Sequence, residues 1–188
     1  GNQTRAIRLG GTGPTPRQNI MDYVQIAHTG NAIDFGDLFL KCMTAGSGAN
    51  PVRAVVANGK DGPAHSNVIF RVNIGTLGNS SDFGNLTEAR GRSGAGCSLT
   101  RLIVGGGEKS PGTTTDTIDS RELQSQGNAA DFGDLSQSIN SQKTGLSNQT
   151  RTIFSGGYNA GGSGFTDTMD YITIETKGNA QDFGDTSN

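Results

Sequence analysis

Short stretches in which polar and apolar residues alternate recur along the chain, and three of the four end in a pair of glycines. The first is residues 4–11, Thr-Arg-Ala-Ile-Arg-Leu-Gly-Gly, and its counterparts are residues 52–59, 100–107 and 150–157. Alternation with a period of two places the apolar side chains on one face of a strand, and glycine is typical of the turn that follows. The pattern therefore predicts a half-buried β-strand at the start of each of four units.

A second predicted strand follows a Gly-, Pro-, Ser- or Thr-rich loop of variable length in every unit. Three of its copies place Asp after an apolar residue, and two continue with Tyr and a β-branched residue. The copies are residues 20–26, 68–74, 117–123 and 168–174.

A segment that begins Gly-Asn and contains Asp-Phe-Gly follows the second strand and sets the period. We call it the Asp-Phe-Gly segment, and its copies are residues 30–38, 78–86, 127–135 and 178–185. Their first glycines lie 48, 49 and 51 residues apart, a spacing that indicates a repeat architecture. Gly-Asn favours a turn, and we expect the central aromatic to be buried, with the next glycine free to adopt positive φ. The four aromatics are Phe35, Phe83, Phe132 and Phe183.

Four short strands in about 49 residues match one blade of a β-propeller. Residues 38–51, 86–99 and 135–149 leave room for a fourth, outer strand, whereas the last unit stops after its third strand. We therefore predict an all-β, β-propeller-like fold with four blades, the last lacking its outer strand. We treat residues 1–188 as a single repeat domain, with repeats at 1–48, 49–96, 97–146 and 147–188.

Composition is consistent with many turns and little helix. Of 188 residues, 30 are Gly, 31% are apolar and 17% are charged. The formal net charge is -2 with both signs interspersed, and no apolar run is long enough to span a bilayer, so we expect neither a nucleic-acid nor a membrane partner. Cys42 and Cys97 occupy non-equivalent positions and are expected to be free thiols.

Arginine recurs at one position of the first strand, 48, 48 and 50 residues apart. A recurring charge on an otherwise apolar strand needs a recurring partner. We predict that each arginine pairs with an Asp of an Asp-Phe-Gly segment, in its own blade or the neighbouring one. The arginines are Arg5, Arg53, Arg101 and Arg151.

Paired acids in three of the Asp-Phe-Gly segments are candidate Ca²⁺ ligands, because Ca²⁺ prefers oxygen ligands in loops. The alternative is that these Asp side chains cap nearby backbone N–H groups in turns. Asn85 replaces the second acid in the second copy. The candidates are Asp34, Asp37, Asp131, Asp134, Asp182 and Asp185.

Asp-Phe-Gly is also a Mg²⁺-binding triplet of protein kinases, but no phosphate loop, strand lysine or His-Arg-Asp loop accompanies it, and four copies do not fit one active site. His28 and His65 lack a Cys or acid at metal-binding spacing, and the Ser-rich residues 136–141 lack a partner His. We expect no catalytic residue, no cofactor and no enzymatic activity.

The unit Arg-x-Ile/Val-x-x-Gly-Gly, then Asp-Tyr-Ile/Val-x-Ile, then Gly-Asn-Ala-x-Asp-Phe-Gly-Asp-Leu resembles a kelch-like repeat of structural proteins of tailed phages, especially marine and cyanobacterial ones. The resemblance covers essentially the whole chain and is most specific at residues 22–26 with 30–38, and at residues 170–174 with 178–185. It implies a non-enzymatic virion component, such as a tail, fibre or capsid-surface protein, located on the virion and so extracellular.

Such a component would present loops to other virion proteins, to copies of itself or to a host-surface glycan. The variable loops are residues 12–19, 60–67, 108–115 and 158–166. The alternative, from a different class, is a carbohydrate-binding propeller lectin with repeated pockets between its blades.

Overall fold

The structure is a computed structural model that describes residues 1–11, 18–61, 64–140, 145–159 and 164–187. Within these ranges the chain forms β-strands and no helix. The strands are β1 (Arg5–Gly11), β2 (Gln18–Gln25), β3 (Ile33–Asp37), β4 (Gly46–Ala49), β5 (Arg53–Asp61), β6 (Ala64–Asn73), β7 (Ser81–Arg90), β8 (Gly94–Cys97), β9 (Arg101–Ser110), β10 (Thr113–Glu122), β11 (Ala130–Asp134), β12 (Gly145–Ser147), β13 (Arg151–Asn159), β14 (Gly164–Thr173) and β15 (Gln181–Asp185).

These strands form four antiparallel sheets, each a meander of strands that follow one another in sequence. Sheet 1 contains β1 to β3, sheet 2 β4 to β7, sheet 3 β8 to β11, and sheet 4 β12 to β15. The all-β prediction is confirmed, and so are the first, second and Asp-Phe-Gly strands of all four repeats.

The short strand that follows three of the Asp-Phe-Gly segments belongs to the next sheet. β4 pairs with β5, β8 with β9 and β12 with β13. The prediction that the last blade lacks its outer strand is therefore wrong: sheet 4 has four strands, and sheet 1 is the three-stranded one.

A tight turn explains this pairing. Asn50 Oδ1 accepts hydrogen bonds from the N–H groups of Val52 and Arg53, which folds β4 directly back onto β5. Asn148 closes the turn between β12 and β13 in the same way.

Three of the four predicted variable loops lie partly outside the described residues, namely 12–19, 60–67 and 158–166. The remaining loop, residues 108–115, is shorter than predicted, because β9 and β10 extend into it and leave only Pro111 and Gly112 in the turn.

The sheets stack face to face in chain order, and an apolar cluster fills each space between them. Alternation along a strand sends neighbouring side chains into different clusters. In β5, for example, Val56 packs between sheets 1 and 2, whereas Val55 packs between sheets 2 and 3. Sheets 2 and 3 are thus covered on both faces, which is why β5 and β9 carry consecutive buried apolar residues, at 54–57 and 102–104.

Candidate functional site: the repeated contact between sheets

The recurring arginine donates a hydrogen bond to a backbone carbonyl one repeat further along the chain. The acceptors belong to apolar residues, each 0% exposed, that directly follow the second strand. A buried carbonyl without a partner is costly, so the guanidinium satisfies it. The three contacts are Arg5 Nη1 to Ile74 O (2.9 Å), Arg53 Nη1 to Leu123 O, and Arg101 Nη1 to Ile174 O (2.6 Å).

The predicted pairing of these arginines with acids of the Asp-Phe-Gly segments is therefore wrong. Arg101 does bind a carboxylate, with 2.8 Å between its Nη2 and Glu122 Oε1, but that acid lies at the end of the second strand. Arg151, in the last repeat, lies over the ring of Tyr171 instead, with 4.8 Å from its Cζ to the ring centroid.

The Gly-Asn pair that opens each later Asp-Phe-Gly segment joins two repeats, a role that the sequence-based expectation of a simple turn missed. Asn79 Oδ1 accepts from Asp37 N at 2.9 Å, and the backbone adds a bond from Gly78 N to Phe35 O at 2.9 Å. The sequence feature that could have indicated this role is the presence of Asn in all four copies. The same pairs recur as Asn128 with Asn85, Asn179 with Asp134, Gly127 with Phe83 and Gly178 with Phe132.

The glycine of Asp-Phe-Gly is required by its backbone angle and by its neighbour. It has positive φ in all four copies, as predicted. At Gly84, an added Cβ would lie 1.9 Å from the carbonyl oxygen of Gly127, closer than any real contact. The corresponding distances are 2.6 Å at Gly36 and 2.4 Å at Gly133, whereas a Cβ at Gly184 would meet nothing within 4 Å.

The central phenylalanine is buried in the first three copies, with Phe35, Phe83 and Phe132 at most 2% exposed. The prediction is wrong for Phe183, which is 47% exposed. The first three rings pack between two sheets, whereas Phe183 lies on a face of sheet 4 that no other described strand covers.

The acids of the Asp-Phe-Gly segments are exposed at all six candidate Ca²⁺ positions. Among the described residues, no group of three or more His, Cys, Asp or Glu side chains could hold a metal ion. Capping of the backbone is confirmed at Asp82 and Asp182, whose Oδ1 atoms accept from Gly84 N and Gly184 N at 2.9 Å.

The Asp of the second strand is a further joining residue that the sequence analysis did not single out. Asp119 accepts from both the N–H and the hydroxyl of Thr87, at 3.1 and 2.7 Å, and Asp170 accepts from both groups of Ser136 at 2.9 Å. In each case the donor residue directly follows the Asp-Phe-Gly segment of the preceding repeat.

The second repeat has Phe70 at this position, and a different side chain takes over the bond. Ser80 Oγ accepts from Phe39 N at 2.6 Å, and Phe39 is the equivalent of Thr87. The same backbone N–H is thus satisfied across the interface by another route.

The most deeply buried charges lie between sheets 2 and 3. Arg90 is 0% exposed and binds Asp119 at 2.9 Å and Glu88 at 3.2 Å. Burial lowers the pKa of Arg90, which the two acids oppose, and burial raises the pKa of Asp119, which Arg90 opposes.

Burial also acts to raise the pKa of Glu88, but hydrogen bonds from Lys109 and Thr115 and the charge of Arg90 outweigh it, so the net shift is downward. The partners of these acids are the protein's own cations and hydroxyls, so the cluster ties the two sheets together.

His65 lies beside a second buried acid at the same interface, with 3.5 Å between its Nε2 and Glu108 Oε2. Arg92 Nη1 approaches the same oxygen at 3.4 Å. His28, by contrast, is exposed in the turn after β2.

Cys42 and Cys97 are free thiols, as predicted. Burial raises the pKa of the Cys97 thiol, whose Sγ accepts from Ala49 N at 3.0 Å and donates to Ala49 O at 3.1 Å. Ser147 Oγ makes the same two bonds to the backbone of Cys97, each at 2.9 Å. The short strands β4, β8 and β12 are therefore also linked from sheet to sheet.

The part of the chain that the structure describes contains no helix long and apolar enough to cross a membrane. In comparisons with known proteins, the chain matches no protein-family model, and no curated protein matches it with significance.

Proposed function

We propose that this chain is a non-enzymatic structural and interaction protein whose stacked sheets hold variable loops in fixed positions. The observation that carries this proposal is that one set of contacts is built at all three junctions between sheets. Three of the four copies of the recurring Arg, Asn and Gly residues serve those junctions. In repeat proteins, side chains that recur in every unit commonly join one unit to the next.

The variable loops join the same two strands in each sheet, because the first and second strands pair in the same antiparallel way in all four sheets. The turn of the third loop is exposed from Lys109 to Thr113, where a partner could reach it. Loops that a rigid scaffold positions are common binding elements.

The finer architecture that we propose is a β-propeller-like arrangement in which each sheet is one blade. The short strands support this proposal because they are rich in small residues and approach one another closely. A Cβ added at Gly46 would lie 2.9 Å from Ala95 Cβ, and one at Gly145 would lie 2.5 Å from the backbone of Ala95. Small residues suit strands that crowd around the axis of a propeller.

The biological setting that we propose is the virion of a tailed phage, where the chain would be a tail, fibre or capsid-surface component. The resemblance of its repeats to those of phage structural proteins supports this assignment. Its partners would be other virion proteins or copies of itself, whereas a host-surface glycan is the partner that the alternative, a lectin, would bind.

Mass spectrometry of purified phage particles, paired with glycan-array binding of the isolated chain, tests this proposal. We expect peptides of this chain at stoichiometric level in intact particles and no glycan binding. A control variant with residues 110–113 replaced by Gly-Ser should keep the fold but lose contacts made by that hairpin. Absence from particles, together with glycan binding at several equivalent sites per chain, would contradict the structural role and favour a lectin.

A further inference from the structure

Inside the stack, each junction joins one face of a sheet to the opposite face of the next sheet. Sheet 4 and sheet 1, at the two ends, each expose one of these two kinds of face. We propose that the free face of sheet 4 binds the free face of sheet 1 of a second copy of this chain, head to tail. This contact does not depend on the proposed virion role, since it follows from the three junctions that the chain already contains.

The free face of sheet 4 carries the side chains that elsewhere meet the next sheet. Phe183 is 47% exposed, against at most 2% for its three equivalents. Gly184 has φ +123 with open space beside it, although the matching glycines lie against the next repeat. Met169 is only half-buried, whereas Met21, Ile69 and Ile118 at this position are 0% exposed.

The free face of sheet 1 carries the side chains and carbonyls that elsewhere receive the preceding sheet. Ile26 is 56% exposed, whereas its equivalents Ile74, Leu123 and Ile174 are all 0% exposed. Val24 is 37% exposed, against 4% for the equivalent Val72. Exposed apolar residues at positions that are otherwise fully buried indicate an interface.

The hydrogen-bonding groups on the two faces also match. By equivalence with the internal junctions, Arg151 would donate to the carbonyl of Ile26, and Asn31 Oδ1 would accept from Asp185 N. The N–H of Gly30 would donate to the carbonyl of Phe183, as Gly78 donates to Phe35.

Two further pairs lie outside these segments. Ser187 occupies the position of Thr87 and Ser136, so its N–H and hydroxyl would donate to Asp22, the equivalent of Asp119. Asn148 would donate to the carbonyl of Gln3, as Asn50 donates to that of Leu99. The complementarity of these hydrogen-bonding groups selects a second copy as the occupant.

One residue makes this contact weaker than the internal ones. Arg8 replaces the buried Val56, Val104 and Phe154 of the other repeats, and it pairs with Asp22 at 2.7 Å. The sheet 1 face is therefore less apolar than its internal equivalents, and we expect reversible assembly. Because the two faces differ, the contact is heterologous and generates either a ring or an open series of copies.

Two single substitutions block one face each: Phe183→Lys for sheet 4 and Ile26→Lys for sheet 1. Both side chains are exposed in the single chain, so both variants should fold. Sedimentation velocity should show assembly of the wild-type chain that grows with concentration and only monomer for either variant alone. A 1:1 mixture of the two variants should form a heterodimer and nothing larger, because one good face remains on each.

Ile33→Lys is the matched control. Ile33 is 53% exposed, and its equivalents Ser81, Ala130 and Gln181 are exposed as well, so this position lies away from the contact. This variant should assemble like the wild-type chain, and circular dichroism should show that all three variants are folded. A wild-type chain that stays monomeric at every concentration overturns the proposal, as does assembly that survives both face substitutions or a folded mixture that forms no heterodimer.

Discussion

At the scale of single residues, the glycine of Asp-Phe-Gly shows a structural reason for the recurrence of a short motif. Its positive φ disfavours any side chain, and the carbonyl of the next repeat occupies the place of a Cβ. Only the first constraint applies at Gly184, which has a positive φ but no atom within 4 Å of the place of a Cβ.

Gly84→Ala and Gly184→Ala therefore form a matched pair. Their φ angles are +128 and +123, so both variants carry the same backbone strain, but only Gly84→Ala forces two sheets apart. We expect Gly84→Ala to lower the free energy of unfolding by about 1–3 kcal/mol more than Gly184→Ala does. Urea denaturation in the monomeric Phe183→Lys background measures the difference, and equal losses would show that the close approach costs nothing.

At the scale of elements, the junction between sheets 2 and 3 contains the most deeply buried ion pair among the described residues, Arg90 with Asp119. β7 supplies Glu88 and Arg90, β9 supplies Lys109, and β10 supplies Thr115 and Asp119. A buried guanidinium is costly unless it is paired and hydrogen-bonded, so the pairing of Arg90 with Asp119 and Glu88 favours this packing of the strands.

Glu88→Gln tests the contribution of this cluster through its dependence on pH. The pKa of Glu88 is lowered in the folded chain, so its charged form adds stability that is fully present above the ordinary glutamate pKa. The stability advantage of the wild-type chain over Glu88→Gln should therefore stay constant near neutral pH. It should disappear as the pH falls through the lowered value.

Denaturation of both proteins between neutral and strongly acidic pH measures this difference. An advantage that persists in strong acid would show that Glu88 acts through packing and not through its charge.

At the scale of the whole molecule, stability is distributed along a series of sheets. Among the described residues, each apolar cluster lies between two sheets that are neighbours in the sequence, so the terminal sheets have one covered face and the central sheets have two. Such arrays are stabilised by nearest-neighbour contacts and open from their ends.

Hydrogen exchange of the monomeric Phe183→Lys variant should therefore follow a gradient. We expect the slowest exchange in β5, β6, β9 and β10, and faster exchange in β2, β3 and β15. In the assembled wild-type chain, protection should rise at β2 and β15 but not in the central sheets. Uniform protection along the monomer would instead indicate a single cooperative unit.

The sequence by itself determined the repeat, its period and three strands per unit, because alternation and turn residues are local properties of the chain. It also predicted a structural role for the Phe and Gly of Asp-Phe-Gly, and in the first three copies both lie at contacts between sheets. The burial of Phe35, Phe83 and Phe132 followed from the same local pattern.

Only the tertiary structure decided which partners these residues meet. The sequence predicted a carboxylate for the recurring arginines, but the partner is a carbonyl one repeat away, and a backbone group carries no signal in the side-chain pattern. The exposure of Phe183 likewise depends on what lies beyond its sheet, since identical residues are buried or exposed according to their neighbours in space.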